Sequence, residues 1–379
     1  MRIRSVTAFP ISFRVPQGQN VTLGIGRAVK RDSVLVKIET DEGITGWGEA
    51  HHGRCPGAIA KLVDTTISEL TVGLDALDVV GVWKRVHQMQ LASHGMGAAA
   101  AMALSGIDLA LWDIRAKVAG WPLYRLLGGA SKPIKAYAGG ISLGWQAPSS
   151  LADEAQGYVE AGWRALKLRC GDTVARDIAR VRAVRERLGD EIDILVDANT
   201  NYSLDDARRA MPAFDELGVG WLEEPFSPYD DRAYETATSF GTVPLAAGEN
   251  HFTRFEFTRL IDGGAVMFLQ PDLSKTGGIT ETMRIAAMGS AWKLTINPHT
   301  SATGVNMAAT LNLLAAIDNP GYFEGDLAKH NPFRDEVGGL PYRLDAEGCV
   351  RPSDTPGLGL EVDEDFVRAH PLIDGPCYV

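Results

Sequence analysis

The strongest constraint on this chain is a regular spacing. Between about residues 130 and 326, eight short apolar runs alternate with amphipathic helical stretches: IKAYAGG, ALKLRC, ILVDAN, GWLEEP, PLAAGEN, VMFLQPD, LTINPH and YFEGD. From the second run on, each ends near one ionisable residue, Arg169, Asp197, Glu223, Glu249, Asp272, His299 and Glu324, in steps of 28, 26, 26, 23, 27 and 25. A strand, a helix and two loops need about that many residues, and closure at about eight units predicts an α/β chain built on a (β/α)8-type barrel. In such a barrel all strand ends meet at one mouth. Asp197, Glu223 and Glu249 then crowd together, and three carboxylates repel unless a cation sits between them. Oxygen-only ligation suits Mg2+. The rival reading, that each acid caps the following helix, accounts for one such residue more easily than for three in register.

Residues 1–125 read differently. RIRSVTAFPI, SVLVKIETDEG and ITGWGEA are strand-like, the last two joined by a turn at Asp41-Glu42-Gly43. Leu104, Ile107, Leu111 and Ile114 then fall at helical spacing, and Gly120 and Pro122 stop that helix. The expected organisation is an N-terminal α+β domain (1–125), a barrel (126–326) and a segment rich in Pro, Gly and Asp (327–379) that wraps back onto the first domain.

Composition narrows the partners. A net charge of −11 argues against nucleic acid or an anionic membrane surface. No stretch reaches the roughly 18 apolar residues of a membrane span. The N-terminus lacks the apolar core and cleavage site of a signal peptide. Cys55, Cys170, Cys349 and Cys377 are scattered without a CxxC pair, so free thiols in a reducing cytoplasm are expected. An anionic substrate needs local cations. Strand two offers Lys167 and Arg169, which alternation points into the barrel. Adjacent strands put Asp272 beside His299, where the carboxylate orients the imidazole and raises its basicity.

With these residues in place the chain resembles the enolase superfamily, in its mandelate-racemase-like branch. The likeness rests on Asp197 in DAN, Glu223 in WLEEP, Glu249 in GEN, Asp272 in PDLSKTGG and His299 in NPH. It implies a capping domain over a modified barrel, Asp197, Glu223 and Glu249 as Mg2+ ligands, and a His299–Asp272 general-base dyad. It further implies abstraction of a proton α to a carboxylate, a small carboxylate substrate, and a symmetric homo-oligomer. HNPFRDEV and PGLGLEV are similar to sugar-acid enzymes of this branch.

One departure shapes the expected reaction. Racemases of the branch carry Lys-x-Lys on strand two, and here the second position is Arg169. A guanidinium keeps its proton near neutral pH and is a poor base. Dehydration needs only one base, so the expected activity is Mg2+-dependent dehydration of an acid sugar to a 2-keto-3-deoxy acid. His299 would act as base and then acid, while Lys167 and Arg169 hold the substrate carboxylate or, alternatively, form ion pairs under the metal ligands. Glu324 is either a donor to the enediolate or a plain loop carboxylate. Lys275 is a candidate second base or substrate contact, and His51, beside His52, a candidate specificity contact. Glu224 is expected to point outward. The alternatives are a racemase, epimerase or lactone cycloisomerase, and a catalytically silent relative that only binds a ligand.

Overall fold

A computed structural model of the protein describes residues 1–93, 95–300 and 302–379. The N-terminal sheet comprises β1 (Ile3–Arg14), β2 (Lys30–Thr40) and β3 (Thr45–Ala50), all antiparallel, in the order β1-β2-β3. Against it lies α1 (Ala98–Ala119), ended by Gly120 in a left-handed conformation. The approach is close enough to require glycine in the GWGEA segment. A Cβ on Gly48 would stand 2.1 Å from the Gly106 carbonyl oxygen, and one on Gly46 2.2 Å from that of Ala110. Val34, Val36, Ile38, Leu104, Ile107 and Leu111 form the core between sheet and helix.

Eight parallel strands follow: β4 (Ile134–Gly139), β5 (Ala165–Arg169), β6 (Asp193–Asp197), β7 (Val219–Glu223), β8 (Leu245–Ala247), β9 (Val266–Leu269), β10 (Thr295–Ile296) and β11 (Phe323–Asp326). Each pairs in parallel with the next from β4 to β10, and β11 returns to pair with β4. A bridge between Ile296 and Pro320 joins β10 to the chain entering β11. Helices follow the first seven strands, including α2 (Gly278–Ala291) after β9 and α3 (Gly304–Ala316) after β10. After β11 the helix shrinks to the single turn Pro332–Asp335. The architecture is a modified (β/α)8 barrel with an N-terminal capping domain.

Alternation along the strands sorts the barrel interior into layers. At the bottom, Tyr137, Ala165, Leu195, Trp221 and Ala246 pack with Phe268 and Tyr322, and the Tyr137 and Trp221 rings meet edge to face at 5.6 Å. Two residues further along β5, β6 and β7 come Lys167, Asp197 and Glu223. Register pairs Arg169 with Asp197 and Asp197 with Glu223. An apolar plug therefore supports a charged layer at the strand ends.

Cap and barrel are fastened beside that layer. Gly277 and Gly278 both take positive φ at the start of α2. Asp108 of α1 accepts the Thr280 backbone N–H at 3.0 Å, Ser105 accepts that of Gly277 at 2.8 Å, and Trp112 donates to Thr280 Oγ1 at 2.9 Å. A side chain on Gly278 would meet Asp108 Oδ2 at 2.3 Å. The C-terminal residues lie along the cap: Val29 N–H donates to the Cys377 carbonyl at 2.9 Å, and Val379 N–H to that of Arg27 at 3.0 Å. Among the described residues, no helix is long and apolar enough to cross a membrane.

Candidate active site

The strand ends open into a cavity of about 410 Å³, walled on one side by the barrel and on the other by the cap. Barrel residues on its surface include Arg169, Asn199, Glu224, Glu249, Lys275 and His299. His299 Nδ1 is 2.6 Å from Asp272 Oδ2, and Nε2 is 3.2 Å from Glu249 Oε2. Asp272 is fully buried and held from behind by the Ser274 N–H and hydroxyl, at 2.7 and 2.6 Å, and by Asn306 Nδ2 at 3.1 Å. Burial alone would raise the Asp272 carboxyl; the hydrogen bond and charge of His299 outweigh it and keep it below its usual range. Burial likewise lowers the imidazole, but the carboxylates of Glu249 and Asp272 overcome this and lift His299 to about 9.

The metal-ligand candidates lie at different depths. Asp197 and Glu223 are almost fully buried, whereas Glu249 reaches the cavity. Lys167 runs up the barrel axis over the Tyr137 ring and meets Glu223 at 2.7 Å, Glu324 at 3.1 Å and Asp197 at 3.6 Å. Arg169 binds Asp197 and the Gly140 carbonyl, and among the described residues its Nε has no partner. Lys275 Nζ lies 3.4 Å from Glu249. Gln270 Nε2 and Trp221 Nε1 both donate to Glu223 Oε2, at 2.6 and 3.2 Å.

Three expectations need correction or refinement. Lys167 has no exposed surface and is not among the residues on the cavity surface; it makes the ion pairs beneath the carboxylates that are the alternative to a substrate contact. Its ammonium is enclosed by carboxylates, and in this position it neutralises them from below. Glu324 is also fully buried; it accepts the Gly140 and Thr300 N–H groups at 3.0 and 3.1 Å and faces Lys167 rather than the cavity. Glu224 does not point outward. It leaves the strand with φ 35°, which breaks the alternation and turns it toward the cavity, where it accepts Asn250 Nδ2 at 2.7 Å. Lys275, His51 and His52 do line the cavity.

Other residues at the site carried weaker sequence signals. Gln270 stands two before Asp272, so alternation could have placed it inside. Glu49 in GWGEA is a capping-domain residue that reaches the barrel: fully buried, it accepts the hydroxyls of Ser33 and Thr303 and the Asn306 N–H. Asn306 in turn holds Asp272, so a cap strand, a barrel helix and the dyad form one hydrogen-bonded chain.

Whether a cation fits is a question of charge. Six carboxylates, Asp197, Glu223, Glu224, Glu249, Asp272 and Glu324, share this layer with four cationic groups, Lys167, Arg169, Lys275 and protonated His299. With all six ionised, two negative charges would be left over. Burial, and then the neighbouring charges of Asp197, Glu324 and Glu249, push Glu223 up to about 7 against the pull of Lys167. Glu224 is raised as well, by burial and by Glu249 and Asp197, and among the described residues its Oε1 is buried without a partner. Two carboxylates that resist ionisation, Glu223 and Glu224, in a layer with more acidic than basic groups suit a divalent cation with oxygen ligands. Among the described residues, the one group of three potential ligands with donor atoms within 4.8 Å of one another is instead Asp32, His52 and Cys377 on the cap side; the barrel carboxylates are spread around their cations.

A capped modified barrel with acidic strand ends and a His–Asp dyad defines the enolase class of proteins. Comparisons with known proteins agree. Residues 9–128 match the mandelate racemase / muconate lactonizing enzyme N-terminal domain, and residues 150–366 match the enolase C-terminal domain-like family. The chain belongs to the mandelate racemase / muconate lactonizing enzyme family of the enolase superfamily. It is 33% identical over 332 residues to an arabinonate dehydratase of Saccharolobus solfataricus, covering 87% of this chain and 88% of that one. It is 34% identical over 358 residues to a D-galactarolactone cycloisomerase of Agrobacterium fabrum, covering 91% and 93%. Among solved structures, a member of the enolase superfamily from Polaromonas sp. JS666 matches with TM-score 0.98, 56% identity and full coverage of both chains. A racemase from Streptomyces coelicolor A3(2) with bound magnesium matches with TM-score 0.88 and 28% identity, covering 98% of this chain and all of that one.

Proposed function

We propose that the protein is a Mg2+-dependent dehydratase of an acid sugar, removing the α-proton and the β-hydroxyl to give a 2-keto-3-deoxy acid. The observation that carries this reading is the pairing of one complete base, the His299–Asp272 dyad, with a guanidinium at Arg169. Asp197, Glu223 and Glu249 would hold the metal. When bound, it supplies Lewis acidity toward the developing enediolate and offsets the Glu249 charge that keeps the proton on His299.

The remaining work falls to the chain itself. Asp272, fixed by Ser274 and Asn306, holds Nδ1 of His299 and leaves Nε2 toward the cavity. Neutral Nε2 takes the α-proton, and the Cα–H electron pair moves into the enediolate. Arg169, on the cavity surface, stabilises the charge that develops on the carboxylate. The enediolate then expels the β-hydroxyl, which leaves as water with the proton His299 had taken. The resulting enol becomes the 2-keto acid. Both proton transfers use one face of the substrate, and no second base is required.

Lys275 supports a second reading. It lines the cavity beside Glu249, and burial, which lowers its pKa, is outweighed by Glu249, Asp272 and Glu224, so it stays protonated. A charged ammonium is an acid, which suits lactone isomerisation, and a relative is named as a cycloisomerase. Screening mono- and diacid sugars and their lactones, with Mg2+, separates the two. Formation of a 2-keto acid supports dehydration; isomerised lactone with no 2-keto acid from any substrate overturns it.

A further inference from the structure

The cap side of the cavity carries groups that the proposed chemistry does not use: Lys30, Arg31, Asp32, His51, His52 and Arg54. Lys30 is engaged by Asp32 at 3.2 Å, which offsets the one carboxylate in this set. Arg31 binds Asp326, but among the described residues its Nη1 is buried without a partner. Arg54 is exposed, lies 5.5 Å over the Tyr378 ring, and makes no ion pair among the described residues. His51 and His52 stack at 4.1 Å. Each accepts a backbone N–H at Nδ1, from Gly53 at 3.1 Å and from Arg54 at 2.9 Å. A neutral imidazole that accepts at Nδ1 carries its proton on Nε2, so both rings are set as donors.

We propose that this wall binds a second, distal carboxylate, so that the substrate is a hydroxylated diacid rather than the corresponding monoacid. The proposal rests on the reading of the cavity as an acid-sugar site. A guanidinium without an ion pair among the described residues, sharing the cavity surface with two imidazole N–H donors, matches a carboxylate, which accepts through two oxygens, better than a neutral terminal hydroxyl, which needs no cation. The substrate would lie across the cavity, with its reacting end at the barrel mouth and its far end under the cap.

The test is calorimetric binding of galactarate and galactonate, which differ only at the terminal carbon, in the presence of Mg2+. Turnover of matched aldarate and aldonate pairs of other configurations is measured in parallel. The wild-type protein is expected to favour diacids by about tenfold or more, the worth of a charge-assisted hydrogen bond. Arg54→Met should bring that ratio toward one, and Arg54→Lys should restore part of it. Equal affinity for both acids, a preference that survives Arg54→Met, or no binding of either acid overturns the proposal. Equal dehydration of monoacids and diacids sinks this inference while leaving the dehydratase reading intact. A diacid preference with no 2-keto acid from any substrate does the reverse.

Discussion

Glu49 offers a sharp test, because its expected ionisation is unusual and a single substitution isolates it. Its side chain is fully buried, and burial, with the nearby charge of Asp272, pushes its carboxyl from 4.5 up to about 8 against three hydrogen bonds that favour the anion. A carboxyl raised on folding leaves stability intact while protonated in both states and erodes it as pH rises, here from 4.5 until ionisation completes near 8. At about 1.36 kcal/mol per unit, that span amounts to at most about 5 kcal/mol, a large share of a typical folding free energy. Glu49→Gln mimics the protonated acid. Its carbonyl oxygen can accept from Thr303 and Asn306, while its amide faces Ser33, whose hydroxyl accepts as well as donates. Urea denaturation from pH 5 to 9 should show similar midpoints for both proteins at the acid end. Toward pH 9 the wild type should lose ground to Glu49→Gln by several kcal/mol. Parallel curves would mean that Glu49 is ionised throughout, and the reasoning fails.

Other expectations concern the barrel. Glu223→Gln should abolish turnover and also lower the melting temperature, by about 1–3 kcal/mol of stability, because both carboxylate oxygens accept hydrogen bonds and an amide nitrogen would face a donor; full activity, or activity in excess chelator, rules out the ligand assignment. His299→Asn should lose α-proton exchange and product formation together, by about 10²–10⁴-fold. Retained deuterium exchange at the α-carbon would show that another residue is the base, with Lys275 the first to test, and would overturn the His299 assignment. In deuterated water the unmodified enzyme should release product without inverted substrate, since Arg169 is tied to Asp197 and the Gly140 carbonyl and offers no base. Rapid inversion would contradict the one-base scheme.

The barrel was legible in the sequence because its spacing follows from geometry: every βα unit must cross the same distance and return. The placement of Asp272 beside His299 was legible for the same reason, since neighbouring strands carry neighbouring ends. Depth was not legible. Alternation correctly turned Lys167 inward, but whether it touches substrate depends on which layer it occupies, and that is set by the length of strand left beyond it. Glu224 escaped because alternation holds only while the strand lasts, and a positive φ immediately after Glu223 ends it. Glu49 escaped because its partners, Thr303 and Asn306, lie about 250 residues away, joined by no local pattern. The shortened eighth unit is consistent with a tail that is rich in turn formers and commits its residues to the cap.

The hydrogen bond from Trp221 to Glu223 has an optical consequence. The indole sits on the apolar floor of the barrel with 1% of its surface exposed, and its N–H points at a carboxylate expected to hold the metal. Its absorption and emission therefore sense the electric field of that carboxylate from a setting that solvent does not blur. The chain has seven other tryptophans, but subtracting the spectrum of Trp221→Phe isolates this one. Titrating Mg2+ against that difference signal would report occupancy of the barrel mouth without any substrate and apart from turnover.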